Sequence, residues 1–125
     1  MDQAGPHDEV AIGLNEKGKQ DGVPRAKVKN FKPRLIEGRL ELSSFCVDQL
    51  GDTEVWELLD AHLNKPAIGR AQFEIGHFHE SGLEHDPDWH PERHVNILGW
   101  PDKEEEQTSI AQVLYRKQVY LKRQA

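Results

Sequence analysis

The sequence predicts a small α+β domain, in which two main helices pack on a short, mostly antiparallel sheet behind a disordered or extended N-terminal arm. Three patterns support this fold class: two stretches have the apolar spacing of a helix, one alternates with the period of a strand, and the first part of the chain does neither. The chain has 125 residues, of which 30% are charged and 36% hydrophobic, so we expect one small core.

The N-terminal part of the chain has no apolar period. Residues 1–29 contain several glycines and prolines among scattered charges. Such a composition is typical of a segment that buries too little apolar surface to fold. We therefore expect a disordered or extended arm over 1–29 and a single α+β domain over 30–125.

The clearest strand pattern lies between Arg39 and Val47, where side chains alternate between two faces. One face carries Leu40, Leu42, Ser44 and Cys46, and the other carries Glu41, Ser43, Phe45 and Val47. Because apolar residues occur on both faces, the pattern predicts a strand that is covered on both sides.

The first helix is predicted after Gly51 and Asp52, which offer a cap. Apolar residues then follow at helical spacing, and Asn64 and Pro66 end the pattern. The residues on this apolar face are Val55, Trp56, Leu59 and Leu63.

The second helix is predicted to begin at Asp102, with Glu105 completing a capping box. Acidic residues crowd its start and basic residues its end, as the helix dipole favours. Its apolar stripe consists of Ile110, Val113, Leu114 and Leu121.

Between the two predicted helices, only short runs of residues show a regular apolar pattern. Ala71, Phe73 and Ile75 alternate with polar residues, which predicts a short strand that turns into irregular or helical chain. Residues 84–94 hold two prolines and no period, which predicts a loop, and residues 95–98 predict a further short strand.

The sequence favours a cytoplasmic protein. No stretch approaches the roughly 20 apolar residues of a membrane span, and the N-terminus lacks the features of a secretory signal. Cys46 is the one cysteine, so no internal disulfide is possible, and we expect it to be a small buried hydrophobe.

The net charge of −6 is unevenly distributed. Residues 17–39 carry +6 and residues 40–106 carry −12, so a basic segment precedes an acidic one. Lys29, Lys32 and Arg34 are candidates for binding an anionic partner. Nucleic acid is disfavoured as that partner, because the acidic molecule repels a polyanion and no aromatic platform accompanies the bases.

Five histidines fall between residues 77 and 94. His77, His79, His85 and His90 are candidate ligands for zinc or another divalent metal, with carboxylates among them. On a strand, His77 and His79 would share one face, but no spacing here matches a defined zinc signature. An exposed loop rich in histidine is the simpler interpretation, and protonation of the same loop would make the chain respond to acid.

Two further groups of residues are candidates for function. Arg93, His94 and Asn96 could form a catalytic cluster with His94 as base, although fixing the loop to the domain is the preferred interpretation. Trp89 and Trp100 are candidate binding anchors, and covering the core is their default role.

Several segments resemble a pattern in a family of short bacterial proteins. They are FKPR (31–34), LELSSF (40–45), the tryptophan-bearing helix at 53–63, GRA (69–71) and, above all, RHVNILGWP (93–101). The resemblance covers residues 31 to about 121 and implies a cytosolic bacterial protein. It carries no activity and assigns no residue a role.

Taken together, the sequence predicts a non-enzymatic interaction or accessory module that engages a protein partner or associates with itself. The alternative is a small metal-dependent hydrolase, or another metalloenzyme, that uses the histidines of residues 77–94. No membrane partner is expected.

Overall fold

In a computed structural model, which describes residues 4–15, 17 and 25–124, an antiparallel sheet of seven strands runs through the domain. The strands are β1 (Glu9–Leu14), β2 (Arg34–Ile36), β3 (Arg39–Cys46), β4 (Gly69–Glu74), β5 (Glu84–Asp86), β6 (His94–Leu98) and β7 (Val119–Lys122). The helices are α1 (Asp52–Leu63), α2 (Ile75–Glu80) and α3 (Glu104–Lys117), and Val28–Phe31 forms a short 3-10 helix. The α+β class predicted from the sequence is confirmed.

The strand order places the N-terminal strand near the middle of the sheet. The order is β5-β6-β3-β1-β4-β7, and β2 pairs with β3 as a hairpin. The hairpin turn consists of Glu37 and Gly38, whose φ angles of 50° and 82° are both positive. Two positive φ angles in succession are the backbone of a tight turn that suits the right-handed twist of the strands.

Strand β1 corrects the expected arm over residues 1–29. Val10 and Ala11 are fully buried on opposite faces of the sheet. A strand that is covered on both faces has a short run of apolar residues and lacks the polar–apolar alternation of a half-buried strand. Residues 10–14, VAIGL, therefore show no alternation that would have predicted a strand. The prediction was wrong for residues 9–14, and the part of it that concerns 1–3, 16 and 18–24 lies outside the described residues.

Other elements follow their predicted patterns. Strand β3 is covered on both faces, with Leu42 in one core cluster and Phe45 in the other. Helix α1 ends at Asn64, which adopts a left-handed conformation with φ 58°. The segment from Ala71 turns from β4 into the short helix α2.

The end of the chain differs from its prediction. Helix α3 has Lys103 at its N-cap and no side-chain cap, so Asp102 does not cap it, and the Gln107 amide donates to the carbonyl oxygens of Pro101 and Asp102. The helix stops before Gln118, whose extended backbone leads into β7. Leu121 is therefore on a strand and not on the helical stripe, because the run VYL in β7 pairs with β4.

The loop predicted over 84–94 is also shorter in the structure. Residues Glu84–Asp86 form β5, which pairs with β6 at the edge of the sheet. Three residues are too few to show a period, so sequence reasoning had no signal for this strand.

The helices cover the sheet from both sides. Helix α1 packs on one face over Ala11, Phe45 and Val47. On the other face, α2, α3 and the 3-10 helix enclose a larger cluster that includes Phe31, Phe73 and Phe78. Trp100 is 7% exposed and covers this cluster, as its default role predicted.

None of the helices in the described part of the chain has the length and apolar character that a bilayer crossing requires.

A pair of carboxyl groups lies where β1 begins and β3 ends. The pKa of Asp48 is raised by burial and by its hydrogen bond with Asp8, while that same bond lowers the pKa of Asp8. The Asp48 carboxylate also accepts the Glu9 N–H, at 3.1 Å. Asp48 thus favours folding when protonated, and that contribution is lost as pH rises through its folded pKa.

We expect Asp48→Asn to raise the melting temperature at pH 7.5 by about 2–4 °C, because the amide removes the charge and keeps an acceptor for Glu9. Thermal unfolding followed by circular dichroism measures the shift. At pH 3, below the ordinary aspartate pKa, the carboxyl with its raised pKa is protonated, and the two proteins should melt within about 1 °C of each other. An equal shift at both pH values would show that charge is not its cause.

Candidate functional site

A cleft opens where β1 and β3 separate. The two strands pair at Val10–Cys46 and Ala11–Phe45. Beyond that point β1 continues to Leu14 while the chain of β3 leads back to Arg39, without further pairing between them. The gap is a cleft of about 620 Å³, lined by residues of both strands, by the end of α1 and by the 3-10 helix and β2.

The backbone of Gly13 and that of Ser43 face this cleft. In an antiparallel ladder, successive residues point their N–H and C=O groups to opposite edges. The Val47 N–H donates to Glu9 O at 3.0 Å. The backbone N–H and C=O groups of Ala11 and Gly13, two and four residues further along, therefore also point toward β3. The Cys46 N–H donates to Arg93 O at 2.8 Å, so the backbone groups of Ser44 also point toward β6. Those of Ser43, the preceding residue, point the other way, toward β1. Gly13 and Ser43 therefore direct their N–H and C=O groups into the cleft, where no strand-pairing partner is seen among the described residues.

Helix α1 forms one wall of the cleft. A Cβ atom at Gly13 would lie 3.1 Å from Leu59 Cβ and 3.3 Å from Leu63 Cδ1, so glycine allows the helix to approach the strand. His62 packs its ring on Phe45, with 4.8 Å between the ring centres. The pKa of His62 is lowered, chiefly by desolvation and also by the nearby His94 and Arg34, which favours a neutral ring at pH 7.

The opposite wall is basic. Lys17, Lys29, Lys32 and Arg34 line the cleft, so the structure brings together all three basic residues selected from the sequence. Phe31 is fully buried and anchors the 3-10 helix that carries Lys29. Lys32 pairs with Glu104 at 2.9 Å, whereas Lys29 and Arg34 have no acidic partner among the described residues.

A chain of hydrogen bonds connects the cleft to the loop before β6. Ser43, which lines the cleft, has its Oγ 3.1 Å from His94 Nε2. His94 Nδ1 lies 2.8 Å from Asp88 Oδ1, and Asn96 donates to Asp88 Oδ2 at 3.2 Å. His94 and Asn96 share a face of β6, as the strand pattern predicted, and His94 is 7% exposed.

Arg93 is not part of this series of hydrogen bonds. Its guanidinium donates to the carbonyl oxygens of Cys46, at 2.8 Å, and Asp48, at 2.5 Å. These contacts fix the loop to the end of β3, which is the structural role preferred for Arg93 in the sequence. Trp89 is partly buried and packs against the core, and the Arg93 guanidinium lies 5.7 Å from the centre of its ring.

The candidate metal ligands are spread over several elements. His77 and His79 lie on helix α2, so the strand geometry expected for them is wrong. His79 Nε2 is 2.8 Å from His85 Nδ1, and His85 Nε2 donates to Ala4 O at 2.7 Å. His90 is exposed on the loop. In residues 4–15, 17 and 25–124, no group of three or more histidine, cysteine or acidic side chains has the arrangement to hold a metal ion.

Sequence reasoning missed Gly13, Ser43, His62 and Asp88 as residues of the site. Ser43 gave a partial signal, since it is a polar residue on a strand face that also carries Phe45. Asp88 gave none, because its position beside His94 depends on the course of the intervening loop.

Comparison of the chain with protein-family models, with curated proteins and with solved structures finds no match. The resemblance to short bacterial proteins therefore stays an expectation, and the function must be inferred from the geometry.

Proposed function

We propose that this protein is an interaction module that binds an extended acidic segment of a protein partner in the cleft between β1 and β3. The observation that carries the proposal is the combination, in one cleft, of strand backbone that has no strand-pairing partner among the described residues with four basic side chains.

The backbone favours a polypeptide as the ligand. Gly13 and Ser43 each present a donor and an acceptor to the cleft, as at the edge of a sheet. Extended peptides bind such edges by adding main-chain hydrogen bonds, and alternate side chains then provide specificity.

The charges favour an acidic ligand. The cleft is lined by four basic residues, Lys17, Lys29, Lys32 and Arg34, and by one acidic residue, Glu41, whose carboxylate is paired with Arg39 at 2.9 Å. Opposite charge accelerates association and selects among partners. The net charge of the chain is nevertheless −6, so a long polyanion is repelled by the rest of the molecule.

Apolar residues beside the cleft favour a protein over nucleic acid. Leu35 is 72% exposed and Ile36, which lines the cleft, is 40% exposed. The cleft aromatic Phe45 is only 2% exposed and offers no face on which a base can stack. A peptide that alternates acidic and apolar side chains matches both the charges and this surface.

The metal-dependent hydrolase is not proposed in its place. The described residues bring two candidate ligands together, His79 and His85, and a catalytic zinc site uses three protein ligands.

The test is fluorescence anisotropy with an eight-residue peptide of alternating glutamate and valine, labelled at its N-terminus. We expect Lys29→Glu combined with Arg34→Glu to weaken binding at least about 10-fold, because two attractive contacts become repulsive. The affinity of the wild-type protein should fall as salt is raised.

A matched control combines Arg116→Glu with Lys122→Glu, which changes the net charge equally at exposed residues outside the cleft lining. This control should bind the peptide like the wild-type protein. Equal loss in both double variants, or tighter binding of a single-stranded oligonucleotide than of the peptide, would overturn the proposal.

A further inference from the structure

The hydrogen-bonded chain at the edge of the cleft has the arrangement of an activated nucleophile. A hydroxyl, an imidazole and a carboxylate follow one another, with Ser43 Oγ 3.1 Å from His94 Nε2 and His94 Nδ1 2.8 Å from Asp88 Oδ1. Enzymes that transfer acyl groups through serine use the same order of groups and the same two ring nitrogens. We propose that Ser43 is a nucleophile that accepts an acyl group, with His94 as its general base and Asp88 as the residue that orients the imidazole.

The surroundings of Asp88 fix the tautomer that this chemistry needs. Its Oδ1 also accepts the His90 N–H at 3.1 Å, and its Oδ2 accepts the Asn96 side-chain amide at 3.2 Å. A carboxylate held in this way requires a proton on His94 Nδ1. Nε2 is then left as an acceptor for the Ser43 hydroxyl proton.

The location of the three residues supports the same role. His94 is 7% exposed and packs edge-on against Phe45, with ring centres 5.4 Å apart, so its hydrogen bonds lie in a medium of low polarity. Ser43 is partly exposed and lines the cleft, so a substrate can reach its hydroxyl. The Ser43 N–H points into the cleft and is a donor for negative charge that develops on a substrate oxygen.

The loop that carries Asp88 is held in position. Trp89 and Arg93 adopt positive φ angles of 60° and 69°, and Arg93 donates to two backbone carbonyl groups of the chain after β3. Residues in such conformations persist when the surrounding contacts determine them, and they concentrate at functional sites.

The reaction would be hydrolysis of a carboxylic ester by a two-step acyl transfer. Ser43 Oγ attacks the carbonyl carbon and its proton passes to His94 Nε2. The ester C–O bond then breaks, and His94 returns the proton to the leaving alcohol. Water then attacks the acyl-serine and loses a proton to His94 Nε2. The bond between the acyl carbon and Ser43 Oγ breaks, His94 returns the proton to Oγ, and the products are a carboxylic acid and the free serine. The basic wall of the cleft favours a small ester that bears a negative charge.

The test uses the full chain and a serine-directed probe, an alkyl fluorophosphonate, with the labelled residue identified by mass spectrometry. We expect one label per chain, on Ser43, and none in Ser43→Ala. His94→Gln should slow labelling at least about 100-fold, and Asp88→Asn should slow it through the tautomer of His94. Ser109→Ala, on the exposed face of α3, should label like the wild-type protein.

A purely structural role for His94 predicts a different result. Ser43→Cys keeps a nucleophile at the same position, and its alkylation by iodoacetamide should be faster than that of the same variant carrying His94→Gln, with both proteins folded by circular dichroism. Equal rates, or labelling of the folded wild-type protein at residues other than Ser43, would overturn the inference. The peptide test of the proposed interaction changes Lys29 and Arg34 and no member of the Ser43–His94–Asp88 series, so failure of this inference would leave the proposed interaction untouched.

Discussion

A Val10→Asp variant is expected to be unfolded at 25 °C and neutral pH. Val10 is fully buried in β1, between β3 and β4, and its side chain belongs to the larger core cluster. A buried carboxylate without a partner costs several kcal/mol, of the same order as the roughly 5–15 kcal/mol that stabilises a domain. Loss of β1 would also separate β5-β6-β3 from β4-β7, because β1 joins these two parts of the sheet.

Far-UV circular dichroism and urea titration measure this result. His7→Gln is the matched control, because its side chain is 97% exposed three residues away, and its midpoint should differ little from that of the wild-type protein. If residues 1–14 were an arm outside the domain, both variants would unfold at the same urea concentration. That outcome would contradict the position of β1 in the sheet.

The contrast between β1 and α1 shows which elements the sequence can predict. Helix α1 has one buried face and one exposed face, so its period is visible, and Asn64 marks its end. Strand β1 is buried on both faces by helices distant in sequence. Its apolar letters therefore depend on tertiary packing, and no local signal distinguishes them from a loop.

Strand β7 illustrates a second limit. Charge and periodicity continued past Lys117, so the pattern predicted a longer helix. The chain instead becomes extended at Gln118, whose side-chain amide forms two hydrogen bonds with the backbone of Ala26, at 2.8 Å and 3.1 Å. A contact between residues 92 positions apart is decided by the fold and cannot be read from neighbouring residues.

The candidate site likewise combines features that can be predicted from the sequence with features that depend on the fold. The basic wall was predictable because Lys29, Lys32 and Arg34 are close in sequence. The hydrogen bond between Ser43 and His94 joins residues 51 positions apart, and the cleft itself exists because two strands diverge. The histidine-rich composition pointed to metal, whereas the structure gives His94 and His79 different hydrogen-bond partners on different elements.

Phe73→Ala is expected to destabilise the protein by about 3–5 kcal/mol. Phe73 is 2% exposed and lies between Phe31 and Phe78, with ring centres 5.3 Å and 5.2 Å away. Its removal leaves a cavity where β4, α2 and the 3-10 helix meet, and both neighbouring rings lose an edge-on or tilted contact. The urea midpoint, with an unchanged dependence of the unfolding free energy on urea, measures this loss.

Phe73→Leu is the control, because it fills most of the cavity and removes the aromatic contacts; we expect it to cost roughly half as much or less.

The same two variants test whether packing at Phe73 also positions the basic wall of the cleft. Phe31 anchors the 3-10 helix that carries Lys29. We therefore expect a cavity at Phe73 to loosen one side of the cleft while the protein is still folded. Phe73→Leu should therefore weaken binding of the acidic peptide less than Phe73→Ala does. If both folded variants bind the peptide like the wild-type protein, the anchoring of Phe31 does not position the basic wall.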